Sequence, residues 1–429
     1  MKSIPLEGKV KQEVVIAMNN SLPSKLSENL QPKTRPFPQL IKYMGSKAKI
    51  IDFISDAISS VHTDGHLCDL FSGSCSLSGA LGAKYNIHTN DIQRYSEHLG
   101  SFYLKPISEI SGEDIVRSAK TAFHRSYMSL PKSVMYGKSS TLAEFNKVES
   151  ANRNLIRREF AHKYHLFLKY YSGTWWSAEQ CAWIDALKQV IDRKKKSGQL
   201  NDSDYSFCLC ILMHAMAYSS QGTGHFAQYR DAKTNESMKD INIYRQKNIP
   251  EIFLKKFEQL KTWSHEHVHD LGHKITHLDY SDCLSTFCGG TVYADPPYAF
   301  VHYSRFYHAF ETLALYDYPE LQVKNGRLVK GRYRTDRHQS PFSIRSKAEH
   351  AFAKLFSGVR FSRSNLVLSY SNSALISRDI LHRIAKLELG TNYEIWLEDK
   401  EHQHMTMGRS DEPMKDVKEL VVIAKYIGA

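Results

Sequence analysis

The chain has 429 residues, 42% of them apolar, which supports a sizeable core and excludes a wholly disordered chain; one large domain with insertions or two unequal domains is expected. Lys and Arg outnumber Asp and Glu by 57 to 45, a net charge of +12 that suits a polyanionic partner without singling one out. The 7 cysteines include no C-x-x-C pair, which argues against a zinc ribbon or disulfide framework, and no apolar run reaches membrane-spanning length, so the chain reads as a soluble, cytoplasmic protein with reduced thiols.

Residues 1–39 are polar and carry Pro23, Pro32, Pro36 and Pro38 without a period, the pattern of a loosely ordered lead-in. Over residues 47–61 the apolar positions Ile50, Ile51, Ile54, Ala57, Ile58 and Val61 follow helical spacing, and residues 67–71 read as a short buried strand. The small-residue loop Ser72-Gly73-Ser74-Cys75-Ser76, a helix over 77–85 and a second strand over 87–90 follow, ending at Asp91. This β-loop-α-β alternation predicts a doubly wound α/β sheet. From there to about residue 277 the chain is rich in aromatic and basic residues and reads as helix and loop. Strand-like runs return at 291–294, 365–370, 393–397 and 420–424. The expected organisation is therefore a lead-in over 1–39, an α/β domain from 40–100 and 271–429, and a mostly helical insert over 101–270.

Asp295-Pro296-Pro297-Tyr298 directly follows the strand at 291–294, at the carboxyl end, where open α/β sheets place ligands. Proline donates no backbone hydrogen bond, so the turn leaves carbonyls free to accept. An exocyclic amine carries two hydrogens, which one carboxylate and one carbonyl match.

D-P-P-Y after a strand resembles the catalytic motif of amino-methyltransferases acting on DNA. Four further segments narrow the resemblance to the Dam-like, class alpha DNA adenine-N6 methyltransferase family. Lys42-Tyr43-Met44-Gly45-Ser46-Lys47 is similar to its N-terminal segment, and Asp69-Leu70-Phe71-Ser72-Gly73-Ser74 to its cofactor loop. Asn90-Asp91 resembles the acidic end of its second strand, and residues 366–372 the strand after the catalytic motif. The likeness covers roughly 42–426, with a poorly matching middle.

The resemblance implies a Rossmann-like methyltransferase sheet with an antiparallel last strand, S-adenosylmethionine as cofactor, and double-stranded DNA as partner. It implies that Tyr43, Gly45 and Lys47 flank the methionine part of the cofactor, and that Asp69, Phe71, Ser72, Gly73 and Ser74 line its pocket. Asp91 would accept from the ribose hydroxyls and Asp279 from the adenine amine. The family often has glycine where this chain has Cys75; a positive φ there would strain Cys75. Asp295 and the Pro296 carbonyl would accept the amine hydrogens of an extruded adenine that stacks on Tyr298. Restriction-modification or a related DNA-marking system is the expected setting, with a cognate restriction endonuclease of the same site as a further partner. Methylation of cytosine N4 or of an RNA adenine, and a non-catalytic DNA-binding subunit of the same fold, are the competing readings.

The insert is the expected DNA-recognition region. Residues 224–230, including Tyr229 and Arg230, loosely resemble a recognition segment of the family. The basic stretch 321–337, with Lys324, Arg327, Lys330, Arg332, Arg334 and Arg337, reads either as a solvated loop or as a DNA-touching one. Tyr170, Tyr171, Trp175 and Trp176 read as core before base-stacking groups, and Arg193-Lys194-Lys195-Lys196 as a solvated helix end before a phosphate contact. His265, His267, His269 and His273 crowd one segment without a ligand signature, so no metal is expected.

Overall fold

The structure, a computed structural model, describes residues 34–137, 141–222, 224–297, 302–371, 374–405 and 414–428, the side chains of 400–405 and 414–419 apart. A 3-10 turn, Lys47–Ile50, leads into helix α1 (Ile51–Val61), which buries Ile51, Ile54, Ile58 and Val61 at helical spacing. Strand β1 (Leu67–Asp69), helix α2 (Ser76–Leu81), strand β2 (Ile87–Asn90) and helix α3 (Arg94–Leu104) follow. Every residue of β1 and β2 is buried, as expected of parallel strands covered on both faces.

Seven helices come next: α4 (Gly112–Tyr127), α5 (Leu142–Asn154), α6 (Leu166–Tyr170), α7 (Ala178–Lys196), α8 (Asp202–Ser219), α9 (Asn235–Arg245) and α10 (Ile249–His267). Their starts are written locally: Thr141 with Glu144, Ser177 with Gln180, Asn201 with Asp204 and Thr234 with Ser237 form reciprocal capping boxes. Helix α8 is buried almost all round, from Ser206 to Ala217, and is the centre of this helical layer.

The chain then returns to the sheet through β3 (Lys274–Thr276), α11 (Tyr280–Thr286) and β4 (Thr291–Ala294), passes α12 (Tyr303–Phe306) and α13 (His308–Leu315), and makes a small hairpin of β5 (Val323–Lys324) and β6 (Arg327–Leu328). Helix α14 (Arg345–Ser362), β7 (Asn365–Ser371), α15 (Arg378–Leu389), β8 (Tyr393–Met405) and β9 (Met414–Tyr426) complete it. The seven-stranded sheet has the order β3-β2-β1-β4-β7-β9-β8. The first five of these strands are parallel, whereas β9 runs antiparallel between β7 and β8. Side chains alternate between two cores: Val367, Val421 and Ile423 face one, Leu366, Leu368, Val422 and Ala424 the other.

Three expectations are corrected. Residues 34–39 are held rather than loose, because Arg35 donates to the carbonyls of Gly79 (2.6 Å), Tyr103 (2.9 Å) and His267, and Pro38 accepts from the Tyr103 hydroxyl at 2.7 Å; the rest of the expected lead-in, 1–33, lies outside the described residues. The expected boundary after residue 100 falls inside α3, and the helical layer shares most of its core with the sheet: Trp175, Phe207 and Met213 belong to the same apolar cluster as Ile54, Leu67 and Ile87, and only the small cluster of Phe145, Ala232 and Ile241 is its own among the described residues. Finally, β3 lies where the sequence reads as helix and loop; three residues with an exposed Lys274 carry no periodicity to detect.

Candidate active site

The loop after β1 is fixed by backbone bonds to its neighbours. Leu70 donates to the Tyr293 carbonyl at 3.0 Å and Ser72 to the Asn90 carbonyl at 2.9 Å, which ties the loop to β4 and β2. Gly73 adopts φ +49°, and its N–H donates to Asp91 Oδ2 at 2.9 Å. A Cβ on Gly73 would lie 2.8 Å from the Tyr43 hydroxyl, so only glycine admits the N-terminal segment so close. Tyr43 itself stacks on Tyr307 (ring centroids 4.4 Å apart) and Tyr303 (5.5 Å), which holds residues 43–47 against the loop. Cys75 has φ +56°, in the left-handed region that glycine occupies freely; buried, its thiol donates to the Ser96 carbonyl at 3.4 Å.

These elements open one cleft at the carboxyl edge of the sheet. All of Tyr43, Gly45, Lys47, Asp69, Phe71, Ser72, Gly73, Ser74, Asp91 and Asp279 line it, together with Asp295 and Pro297. Pro296 is buried beside them. Tyr298 lies outside the described residues. Sequence reasoning missed His302, Tyr303, Ser304, His338 and Ser340, which also line the cleft. They come from the start of α12 and the residues just after the basic segment, and no motif marks them; only the fold carries them to the rim. Phe71 is backed by Tyr280 and Phe342, with centroids 5.7 and 5.5 Å away.

Four carboxylates and one lysine set the electrostatics. Asp69 is 2% exposed, and burial together with the Asp295 and Asp91 carboxylates pushes its pKa well above the usual range. Burial also raises Asp91, although the N–H groups of Gln93 (2.8 Å) and Gly73 pull the other way. Each Asp91 oxygen accepts one of these bonds and keeps a further lone pair. Asp279 caps α11, its Oδ1 accepting from the Ser281 N–H at 2.9 Å and the Ser281 hydroxyl at 2.6 Å. Lys47 Nζ lies 3.1 Å from Asp295 Oδ1, with both side chains largely enclosed. The lysine expected beside the methionine part of a cofactor thus bears on the carboxylate of the D-P-P motif.

The expected DNA contacts divide. Arg332 and Arg334 are corrected: both are buried and satisfied within the chain, Arg332 by the Tyr170 and Arg153 carbonyls and Arg334 by a two-pronged pair with Asp317 at 2.8 and 2.6 Å. Arg337 is half-buried over the Tyr333 ring, and donates to the Arg334 carbonyl. Arg230 pairs with Asp240, and Tyr229 is half-buried beneath Arg153 and Lys330. What projects is the β5–β6 hairpin, whose Asn325 (φ +52°) and Gly326 (φ +70°) make the tight turn that Asn-Gly favours, with Lys324 and Arg327 exposed and paired across it. Tyr171, Trp175 and Trp176 are core. Lys194 and Lys195 at the end of α7 pair with Asp114 and Asp202.

A mostly parallel sheet with a carboxylate-lined cleft outside its strand ends, and a D-P-P turn at the edge of that cleft, is the arrangement of α/β proteins that take their ligands at the strand ends. The comparison with known families is more specific. The chain belongs to the D12 class N6 adenine-specific DNA methyltransferase family, whose model matches residues 43–366. Among curated proteins it is similar to the modification methylase LlaI of Lactococcus lactis subsp. lactis, at 24% identity over 352 residues covering 81% of this chain and 48% of that one. It is similar also to the type II methyltransferase M.FokI of Planomicrobium okeanokoites, at 23% over 359 residues, with 81% and 47% covered. The type II methyltransferase M.NlaIII of Neisseria lactamica matches at 22% over 374 residues, with 84% and 93% covered. The chain thus spans about half the length of the first two of these relatives. No solved structure matches it.

Proposed function

We propose that this chain transfers the methyl group of S-adenosylmethionine to the N6 amine of an adenine in double-stranded DNA, as the modifying partner of a restriction endonuclease of the same site. The observation that carries the reading is the convergence of Asp69, Asp91, Asp279 and the Lys47–Asp295 pair on a single cleft beside the D-P-P turn.

The donor set fits the cofactor. A sulfonium and an ammonium are cations, and Asp69, crowded by Asp91 and Asp295, is stabilised as a carboxylate when a cation joins it. Asp91 has acceptor capacity left for ribose hydroxyls, Asp279 sits at the start of α11 for an adenine amine, and Phe71 offers a ring face. When bound, the cofactor supplies an electrophilic methyl group. The chain's own task is to orient the target amine. Asp295 accepts one amine hydrogen and the Pro296 carbonyl the other, which withdraws the nitrogen lone pair from the ring and aims it. Lys47 is a positioning residue: its ammonium pairs with the Asp295 carboxylate and holds it in place. The base reaches the cleft only after leaving the duplex. Lys324 and Arg327 on the projecting hairpin are the phosphate contacts in this reading, in place of Arg332 and Arg334.

Incubating the protein with DNA and cofactor and then analysing nucleosides by mass spectrometry tests the proposal. N6-methyladenine is expected, and Asp295→Asn should lower its rate by ~1000-fold or more while cofactor binding persists. N4-methylcytosine, product in RNA alone, or DNA binding without any methyl transfer would each replace this reading by one of its competitors.

A further inference from the structure

Beneath the floor of the cleft, three donors of another kind meet. Cys68 on β1 and His88 on β2 are direct neighbours in the parallel register and point to the same face, where Cys283 of α11 covers them. Their ligand atoms all lie within 4.8 Å of one another, with Cys283 Sγ 4.0 Å from His88 Nε2. All three are buried. By contrast, the crowded histidines noted in the sequence go separate ways: His265 faces Glu109, His267 bonds the Trp263 carbonyl, and His273 accepts from the Ile87 N–H.

We propose that Cys68 Sγ, Cys283 Sγ and His88 Nε2 bind a thiophilic divalent cation, Zn²⁺ by donor set. Two thiolates and one neutral imidazole bring two negative charges, which cancel a dication and leave a neutral group, the condition for burying it in an apolar core. Tetrahedral zinc, with ligands at about 2.0–2.3 Å, places its donors roughly 3.5–3.8 Å apart, so the observed cluster needs only a small contraction. Thr276 Oγ1, 2.8 Å from His88 Nε2, stands beside the fourth position; its contact with the imidazole is exchanged for the metal on binding. Loading releases two protons, one from each thiol. The site joins the three walls of the cofactor cleft: Cys68 precedes Asp69, His88 is on the strand that leads to Asp91, and Cys283 is on the helix that Asp279 caps. An ion there braces all three at once.

The test uses the whole protein, purified under reducing conditions without chelator. Elemental analysis should find about one zinc per chain, and Co²⁺ added to the stripped protein should give the intense visible bands of tetrahedral thiolate ligation, with a higher melting temperature. Cys68→Ala and Cys283→Ala, which leave small apolar groups in the core, should each abolish the bands and the thermal shift. If one variant fails to fold, the other and the wild-type spectrum still decide. Less than a tenth of an equivalent of zinc with no cobalt bands, or metal retained by both variants, would overturn the proposal, and neither result bears on methyl transfer.

Discussion

In the helical layer between β2 and β3, Arg245 and Glu149 are both enclosed, yet they face each other through two bonds of 2.7 and 3.1 Å, and Tyr136 donates a third to Glu149 at 2.6 Å. Asp204 there is met by the Ser108 N–H and hydroxyl, at 2.8 and 2.7 Å. At the carboxyl edge of the sheet Asp69 is just as enclosed, but the charges acting most on it are the carboxylates of Asp295 and Asp91. Burial with a partner maintains a fold, whereas burial against like charge costs free energy that a bound cation can return. Under the proposed function the two regions therefore do different work: the first supports the architecture, and the second is prepared for a ligand.

That contrast can be broken by mutation. The largest effect on stability is expected in the helical layer, where Arg245→Ala strands a buried carboxylate and should cost about 3–5 kcal/mol in chemical denaturation, with cofactor affinity of the folded protein unchanged. A loss under about 1 kcal/mol, or a changed affinity, would erase the distinction. At the cleft, Lys47→Met should lower kcat by ~100-fold with a far smaller change in cofactor KM, and Lys47→Arg should restore part of it. Equal changes in kcat and KM would make Lys47 a binding group instead.

Asp69 gives a smaller effect of opposite sign. Its raised pKa means that the folded state keeps a proton the unfolded state has lost, so stability falls as pH rises from about 4, the unfolded value, towards the raised native one. Asp69→Asn should remove that slope and stabilise the ligand-free protein by about 1 kcal/mol, while weakening cofactor binding. In the wild type, affinity for the cationic cofactor should climb as pH rises towards the raised native pKa, and a flat profile would refute the assignment. The smallest effect belongs to Cys75. Cys75→Gly relieves a left-handed backbone but loses a buried thiol, so a net change within about 1 kcal/mol is expected, whereas Cys75→Val should destabilise clearly more. Thermal unfolding of both variants measures it.

Much of the site was legible because its parts are local. The loop 72–76 between two buried strands, the acidic residue at the end of β2 and the turn after β4 each announce themselves within a dozen residues, and β2 and β4 fall where the sequence places them, at Ile87–Asn90 and Thr291–Ala294. The basic stretch misled for the converse reason. Lys324 and Arg332 look alike in sequence, but one stands on a hairpin in solvent and the other donates to backbone carbonyls in the interior, a difference set by residues 153 and 170 far away in the chain.

Sequence by itself therefore determined the chemistry this protein can carry: which strand ends in a carboxylate, which loop is small enough to take a ligand, and which turn exposes carbonyls. These depend on side-chain type and short-range periodicity. Only the tertiary structure decided the company each group keeps. It set Lys47 against Asp295 across 248 positions of chain, crowded Asp69 with two other carboxylates, brought His302, Tyr303 and His338 to the rim, and gathered Cys68, His88 and Cys283 under the floor. Burial and pairing are properties of packed neighbours, and no local pattern encodes which distant neighbours those will be.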